Sequence, residues 1–273
     1  MTAFPFGRHQ LDAAVTEKAF TQQVIELARH AEQSRERTAR MQLPLREGER
    51  LNIHGTRYYR IDGKLYLSVT SVLAVVAKPA IAPWAARVAL DAVAAYLSGR
   101  EPITQGELAA ALAYAQSEPE RLRDRAAARG SARHSRIASP ARDPVATAVL
   151  DTFGLEPLAH EYLVLSDTDG YAGTCDLVAR TPDGALAVLD WKTGGVWPEH
   201  ALQLGAYARA VEEMTGETVE HGVVVQLRDD TYRAYRVDLE RARYGFRAAL
   251  ALYRALHAEQ LLQPLPCADE ETR

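Results

Sequence analysis

The order of hydrophobic and polar positions is most regular in the second half of the chain. Residues 186–191 form an apolar run that stops at Thr193-Gly-Gly195, which predicts a buried strand followed by a turn. Residues 171–179 predict a second strand, and Asp183-Gly184 supplies a turn between the two. Residues 198–214 follow with the spacing of a helix. The pattern therefore predicts two antiparallel strands followed by a helix.

The other segments predict further strands and helices. Strands are predicted in a hairpin at 57–68 and at 161–166, 222–227 and 232–237, and helices at 12–41, 68–73, 84–138 (interrupted near Ser98-Gly99 and Glu118-Pro119) and 239–262. Strands mixed with helices in this way predict an α/β fold, in which a mixed central sheet is flanked by helices.

Composition is that of a globular protein: 273 residues are 47% hydrophobic, and no apolar run is long enough to span a bilayer. The N-terminus lacks a signal-peptide core and there are only two cysteines, so we expect a reduced cytoplasmic setting and no membrane partner. The formal charge of −4 is not typical of a general nucleic-acid binder, although a local basic stripe can still bind phosphate.

Charged residues at the end of the 186–191 strand are the first candidates for chemistry. Because side chains alternate along a strand, Asp190 and Lys192 emerge on one face, and an antiparallel neighbour can bring Asp176 beside Asp190. The repulsion between two carboxylates this close is relieved by a shared proton or by a divalent cation. The alternative is a structural ion pair, which on a surface contributes only about 0–1 kcal/mol.

Other candidates lie on the predicted helices and on one strand. Arg125, Arg129, Arg133 and Arg136 recur at helical spacing beside His134 and predict a stripe that contacts phosphates, although a solvated charged face has the same pattern. Gln203 and Tyr207 share one helix face, which on its own indicates only a polar surface. Glu161 begins a strand and could equally be a surface charge.

Four motifs in order carry a family resemblance. They are Arg129-Gly-Ser-Ala-Arg-His134, Gly173-x-x-Asp176, Asp190-x-Lys192-Thr-Gly194 and Gln203-x-x-x-Tyr207. Together they resemble the RecB-type branch of the PD-(D/E)xK nuclease superfamily over roughly residues 50–260. The resemblance implies a restriction-endonuclease-like core at residues 49–265. The residue pattern itself predicts a helical N-terminal extension at 1–48 and a disordered tail at 266–273.

The resemblance also implies roles for these residues. His134, Glu161, Asp176, Asp190 and the carbonyl of Trp191 would hold one or two Mg²⁺ or Mn²⁺ ions, and a histidine ligand would favour Mn²⁺. The catalytic set would be Asp176, Asp190, Lys192, Gln203 and Tyr207. Arg125, Arg129, Arg133, Arg136 and Tyr207 would contact the nucleic acid.

The function implied is a metal-dependent exonuclease acting on single- or double-stranded DNA in recombination, repair or phage DNA processing, with a helicase or recombinase as candidate partner. Two cysteines cannot hold an iron–sulfur cluster, unlike the CRISPR-associated and helicase-linked relatives that carry one. Two alternatives stay open. One is a nucleic-acid-binding module that is inactive or active only in a complex. The other is a hydrolase of another phosphate substrate, against which the arginine stripe argues.

Overall fold

The computed structural model describes residues 43–76, 78–138 and 143–258. The strands are β1 (Gly48–Ile53), β2 (Thr56–Ile61), β3 (Lys64–Ser68), β4 (Glu156–Ser166), β5 (Tyr171–Arg180), β6 (Leu186–Lys192), β7 (Val219–Leu227) and β8 (Tyr232–Val237). The helices are α1 (Val69–Val72), which continues into a 3₁₀ turn (Leu73–Val75), α2 (Ile81–Leu97), α3 (Gln105–Ile137), α4 (Pro144–Phe153), α5 (Pro198–Thr215) and α6 (Leu239–Leu256).

The eight strands form one mixed sheet whose central member is β5. One edge of β5 pairs antiparallel with β4 along its whole length. The other edge pairs with β3 in parallel at residues 171–172 and with β6 antiparallel at residues 177–180. Residues 173–176 therefore have no strand ladder on that second edge, and they include the predicted Gly-x-x-Asp motif.

Helices cover both faces of the sheet, as the predicted α/β architecture requires. On one face, α5 and α6 pack with residues of β4–β7 around Tyr171 and Phe246, whose rings meet edge to face at 4.8 Å. A Cβ at Gly205 of α5 would lie 2.5 Å from the backbone of Ala242, so the glycine lets α5 and α6 approach closely. The opposite face is covered by α4 and the C-terminal end of α3. The predicted fold class is confirmed.

The predicted helical region at 84–138 needs one correction. A break occurs at Ser98-Gly99, where Gly99 has a φ of +74°, as predicted. The break predicted at Glu118-Pro119 is wrong, because α3 runs for 33 residues with Pro119 inside it. A proline disturbs one turn of a helix, by about 3 kcal/mol. The capping box of Thr104 with Glu107 and the buried Ala111, Ala115 and Ile137 stabilise the turns on either side.

The ends of the chain lie outside the described residues. These ends contain the predicted helix at 12–41, the predicted tail at 266–273 and the last residues of the helix predicted at 239–262. The division into a 1–48 extension, a 49–265 domain and a tail stays a prediction. None of the helices in the described ranges is both long and apolar enough to cross a lipid bilayer.

Candidate active site

Three predicted residues from three different elements converge where β4 and β5 meet α3. His134, Glu161 and Asp176 each offer one ligand atom, and these atoms lie within 4.8 Å of one another. The Nδ1 atom of His134 is 3.6 Å from a carboxylate oxygen of Asp176 and 3.7 Å from one of Glu161. We call these three residues the acidic cluster.

Strand pairing explains why the two carboxylates of the acidic cluster face each other. His160 pairs with Leu177 and Tyr162 with Cys175, so Glu161 lies directly opposite Asp176. Like charges at opposed positions of a sheet destabilise it, unless a positive group lies between them. The structure thus supplies both the ligand atoms and an electrostatic reason to bind a cation.

The backbone is irregular at both carboxylates. Glu161 has a φ of +47°, a left-handed conformation that is costly for a residue with a side chain. Cys175 and Val178 pack in the same core although they are three positions apart, which a strand of period two does not allow. The alternation of β5 is therefore interrupted between these two residues, in the segment that contains Asp176. Strain of this kind is concentrated at functional sites.

His134 is fixed by a hydrogen bond from its second ring nitrogen. Nε2 donates to the carbonyl of Trp191 at 2.9 Å, which directs Nδ1 towards the two carboxylates. Asp176 and Glu161 raise the pKa of His134 to about 10 by hydrogen bonding and charge. The Trp191 carbonyl, predicted as a metal ligand, orients the imidazole here, and its ligand role stays a prediction.

Asp190 and Lys192 form an ion pair beside the acidic cluster. The Nζ atom of Lys192 is 2.8 Å from Oδ1 of the fully buried Asp190. Burial raises the pKa of the Asp190 carboxyl and Lys192 opposes the shift, while Asp176 adds to it. Asp176 is close by, since its Oδ2 accepts a hydrogen bond from the Trp191 N–H at 2.7 Å. In the described ranges, however, Asp190 is outside the acidic cluster and pairs with Lys192 instead.

Gln203 and Tyr207 lie one turn apart on α5, and the amide Nε2 of Gln203 donates to the Tyr207 hydroxyl at 2.8 Å. The Tyr207 ring packs on Gly173, where a Cβ would lie 2.5 Å from the ring. Only 2% of Tyr207 is exposed. The predicted contact of Tyr207 with a nucleic-acid backbone is therefore contradicted by its burial, and the ring supports Gln203 from behind.

The predicted arginine stripe divides into members with different surroundings. Arg129, Arg133 and Arg136 line a groove of about 730 Å³ together with Arg228, and of the three Arg129 and Arg136 are exposed. Arg125 is half-exposed and lies 3.3 Å from Glu118. Arg133 differs, because its guanidinium makes two hydrogen bonds to the buried Asp143 and is only 12% exposed. Arg133 thus has a structural partner, and its predicted phosphate contact stays a prediction.

Two residues at the site were not predicted. Trp197 and His200 line a cleft of about 770 Å³ together with His134, Glu161 and Lys192. Burial and the charge of Lys192 lower the pKa of His200 to about 4, so the imidazole is neutral at physiological pH. A single histidine at a helix start gives no signal in the sequence. An aromatic residue two positions after Gly195 was the only available hint.

Comparison with known proteins identifies a family. The model of the PD-(D/E)XK nuclease superfamily matches residues 85–271, which is more than half of the chain and contains every predicted site residue. No curated protein matches the chain. A solved structure described as "Crystal structure of SSO0001" is 14% identical, over 65% of this chain and 96% of that one, with a TM-score of 0.31. A TM-score this low carries no argument about this chain.

Proposed function

Because the chain belongs to the PD-(D/E)XK nuclease superfamily, we propose that it is a divalent-metal-dependent nuclease that hydrolyses phosphodiester bonds in DNA. The observation that carries the proposal is the acidic cluster of His134, Glu161 and Asp176 next to the Asp190–Lys192 pair. In its more specific form, the proposal is an exonuclease that acts in recombination, repair or phage DNA processing.

The acidic cluster fits a hard divalent cation. Two carboxylates offer the oxygen ligands that Mg²⁺ and Mn²⁺ prefer, and the imidazole nitrogen of His134 favours Mn²⁺ of the two. When bound, such an ion polarises a phosphoryl oxygen and acidifies water, which contributes several kcal/mol to the reaction. The Trp191 carbonyl supports this site by holding the imidazole in the orientation that a ligand needs.

Lys192 and Gln203 supply the remaining polar groups. Lys192 is 21% exposed and lies at the cleft, where its ammonium would stabilise charge on the phosphoryl oxygens. Asp190 holds that ammonium in place from the buried side. The Gln203 amide donates to Tyr207, and its carbonyl oxygen would accept a hydrogen bond from the attacking water.

A long polyanion is the substrate that the charge distribution favours. The arginine groove with Arg129, Arg136 and Arg228 shares Thr193 and Gly194 with the cleft that contains the acidic cluster. A free nucleotide would need one or two basic contacts, whereas a DNA strand would reach both regions. The net charge of −4 is compatible with this reading, because several arginines line one groove and a local basic surface can bind phosphate.

The test is cleavage of end-labelled single- and double-stranded DNA with Mg²⁺, Mn²⁺ or EDTA, with closed circles as the control for ends. We expect metal-dependent degradation of linear DNA that falls at least about a hundred-fold in Asp176→Asn and in Lys192→Met. Asp230→Asn, in an exposed turn, is the matched control and should retain full activity. Cutting of closed circles would indicate an endonuclease. No cleavage of any DNA with either metal would contradict the proposal.

A further inference from the structure

Trp197 is an exposed aromatic residue at the cleft of the candidate active site. The side chain lines the cleft, and 51% of the residue is accessible to solvent. The indole lies over Gly195, where a Cβ would be 3.2 Å from three ring atoms. The ring therefore contacts the turn that follows Lys192 and still exposes half of its surface. A tryptophan exposed to this extent at a polar cleft offers a flat apolar face on which a ligand can stack.

The backbone around Trp197 holds the ring in place. Pro198 follows it, and a residue before proline is confined to the extended conformation that Trp197 adopts, with φ −128° and ψ 156°. The N–H of Trp197 donates to Nδ1 of His200 at 3.2 Å, which ties it to the first turn of α5. A side chain held in this way loses little conformational freedom when a ligand stacks on it.

The same hydrogen bond decides what His200 offers to the cleft. Because Nδ1 accepts the N–H of Trp197, the proton of the neutral imidazole is on Nε2. The low pKa of His200 keeps the ring in this neutral form at physiological pH. His200 thus presents a hydrogen-bond donor in the cleft that Trp197 lines.

We propose that Trp197 and His200 form a nucleotide subsite, in which an unpaired nucleobase stacks on the Trp197 ring and the Nε2–H of His200 donates to the phosphate of that nucleotide. The inference rests on the proposed nuclease function and deepens it, because it names single-stranded nucleic acid as the preferred substrate. A base inside a duplex is stacked on both faces, so it meets Trp197 only after unpairing, which costs a few kcal/mol.

The position of the subsite gives the strand a path. The cleft and the arginine groove have Thr193 and Gly194 as a common wall. A strand whose base rests on Trp197 crosses this turn and brings its next phosphates to Arg129 and Arg136. The Trp197 subsite supplies stacking and the groove supplies charge, which is the combination that single-strand binders use.

The test measures binding with Ca²⁺ in place of Mg²⁺ or Mn²⁺, by fluorescence anisotropy. The probes are a labelled 12-nucleotide oligo-dT, an abasic oligonucleotide of the same length and a blunt hairpin duplex. We expect Trp197→Ala to weaken oligo-dT binding about 5- to 100-fold and to leave binding of the abasic strand unchanged. Trp197→Phe should stay within about threefold of the wild type, because the phenyl ring also stacks. His200→Ala should weaken binding of both single strands, and of oligo-dT at least as much as of the abasic strand, because it also releases the Trp197 N–H.

Equal oligo-dT affinity in Trp197→Ala and wild type would overturn the proposal, and so would an equal loss for the abasic strand. Should Trp197→Ala fail to fold, intrinsic fluorescence decides the question. Quenching of tryptophan fluorescence by oligo-dT should disappear in Trp197→Phe. It should persist in the control Trp84→Phe, because Trp84 lies on α2. Quenching that persists in Trp197→Phe refutes the subsite. The nuclease proposal is tested separately. Stacking on Trp197 without cleavage would contradict the nuclease proposal alone, and cleavage without stacking would contradict the subsite alone.

Discussion

At the scale of single residues, the glycine of the Gly-x-x-Asp motif explains how the site is held. Gly173 lies in the stretch of β5 that has no ladder on one edge, and the Tyr207 ring occupies the space that a side chain would need. Tyr207 in turn accepts the hydrogen bond that orients Gln203. The Gly-x-x-Asp motif thus packs β5, which carries Asp176, against α5, which carries Gln203.

We therefore predict that Gly173→Ala destabilises the protein by about 1–3 kcal/mol, because the new methyl group displaces the Tyr207 ring. Chemical denaturation measures the loss. Gly106→Ala is the matched control, since no atom lies within 4 Å of its added Cβ and the residue is helical. The control should be neutral or stabilising by up to about 1 kcal/mol. Equal stability of Gly173→Ala and wild type would show that Tyr207 moves without cost.

The individual residues were predictable to different degrees. Asp190 and Lys192 followed from strand alternation, and their ion pair confirms that they share a face. The opposition of Glu161 to Asp176 depends on the pairing of β4 with β5 and on a positive φ, which residue types do not encode. The burial of Tyr207 and the exposure of Trp197 are also set by tertiary packing, so spacing along a helix could not assign them.

At the scale of elements, α3 carries the site residue His134 and is fastened to α4 one residue earlier. Asp143 is the N-cap of α4, where its side chain accepts the N–H groups of Val145 and Ala146, and it also binds the Arg133 guanidinium. The orientation of His134 thus depends on a buried ion pair at the junction of two helices. From sequence, Arg133 looked like one more member of a basic stripe, because its partner is supplied by the next helix.

We predict that Asp143→Ala lowers the free energy of unfolding by about 2–4 kcal/mol, because it removes both the cap and the partner of Arg133. Asp143→Asn keeps a capping side chain and should lose less. Burial opposes ionisation of Asp143, but Arg133 and the backbone N–H groups outweigh it and hold the pKa below its ordinary value.

The lowered pKa of Asp143 gives this prediction a pH dependence. The advantage of wild type over Asp143→Asn is complete above the ordinary aspartate pKa of about 3.9 and is lost as pH falls through the lower folded-state pKa. Urea unfolding at several pH values between neutral and acidic measures it. An advantage that stays constant down to the lowest pH would contradict the assigned ion pair.

Substitutions of the arginines of α3 should differ in their effect on DNA binding. Neutralising Arg129 or Arg136 with glutamine should weaken binding to all sequences and reduce the slope of log affinity against log salt by about 0.7 each on a single strand. Arg133→Gln should leave that slope unchanged and reduce stability, because its guanidinium binds Asp143. Salt titrations of a fluorescent single strand measure the slopes. If Arg133→Gln reduced the slope and the Arg129 and Arg136 variants did not, the assignment of phosphate contacts to Arg129 and Arg136 would be wrong.

At the scale of the whole molecule, the sheet places the candidate chemistry where its central strand changes neighbours. β3 and β6 share one edge of β5 and leave the residues between them without a ladder, and the motif residues enter that gap from β5, β6, α3 and α5. The α/β class was predictable because alternation and helical spacing are local properties. The shared edge of β5 was not, because it joins segments about a hundred residues apart.

The measurement that tests the central claim most directly is Mn²⁺ binding by calorimetry to wild type, Asp176→Asn and the control Asp230→Asn. Asparagine at 176 keeps an oxygen for the Trp191 N–H but removes the charge that opposes Glu161. The account predicts saturable binding in wild type and in Asp230→Asn, and an affinity at least about tenfold lower in Asp176→Asn. Equal Mn²⁺ affinity in all three proteins would contradict a cation site at His134, Glu161 and Asp176.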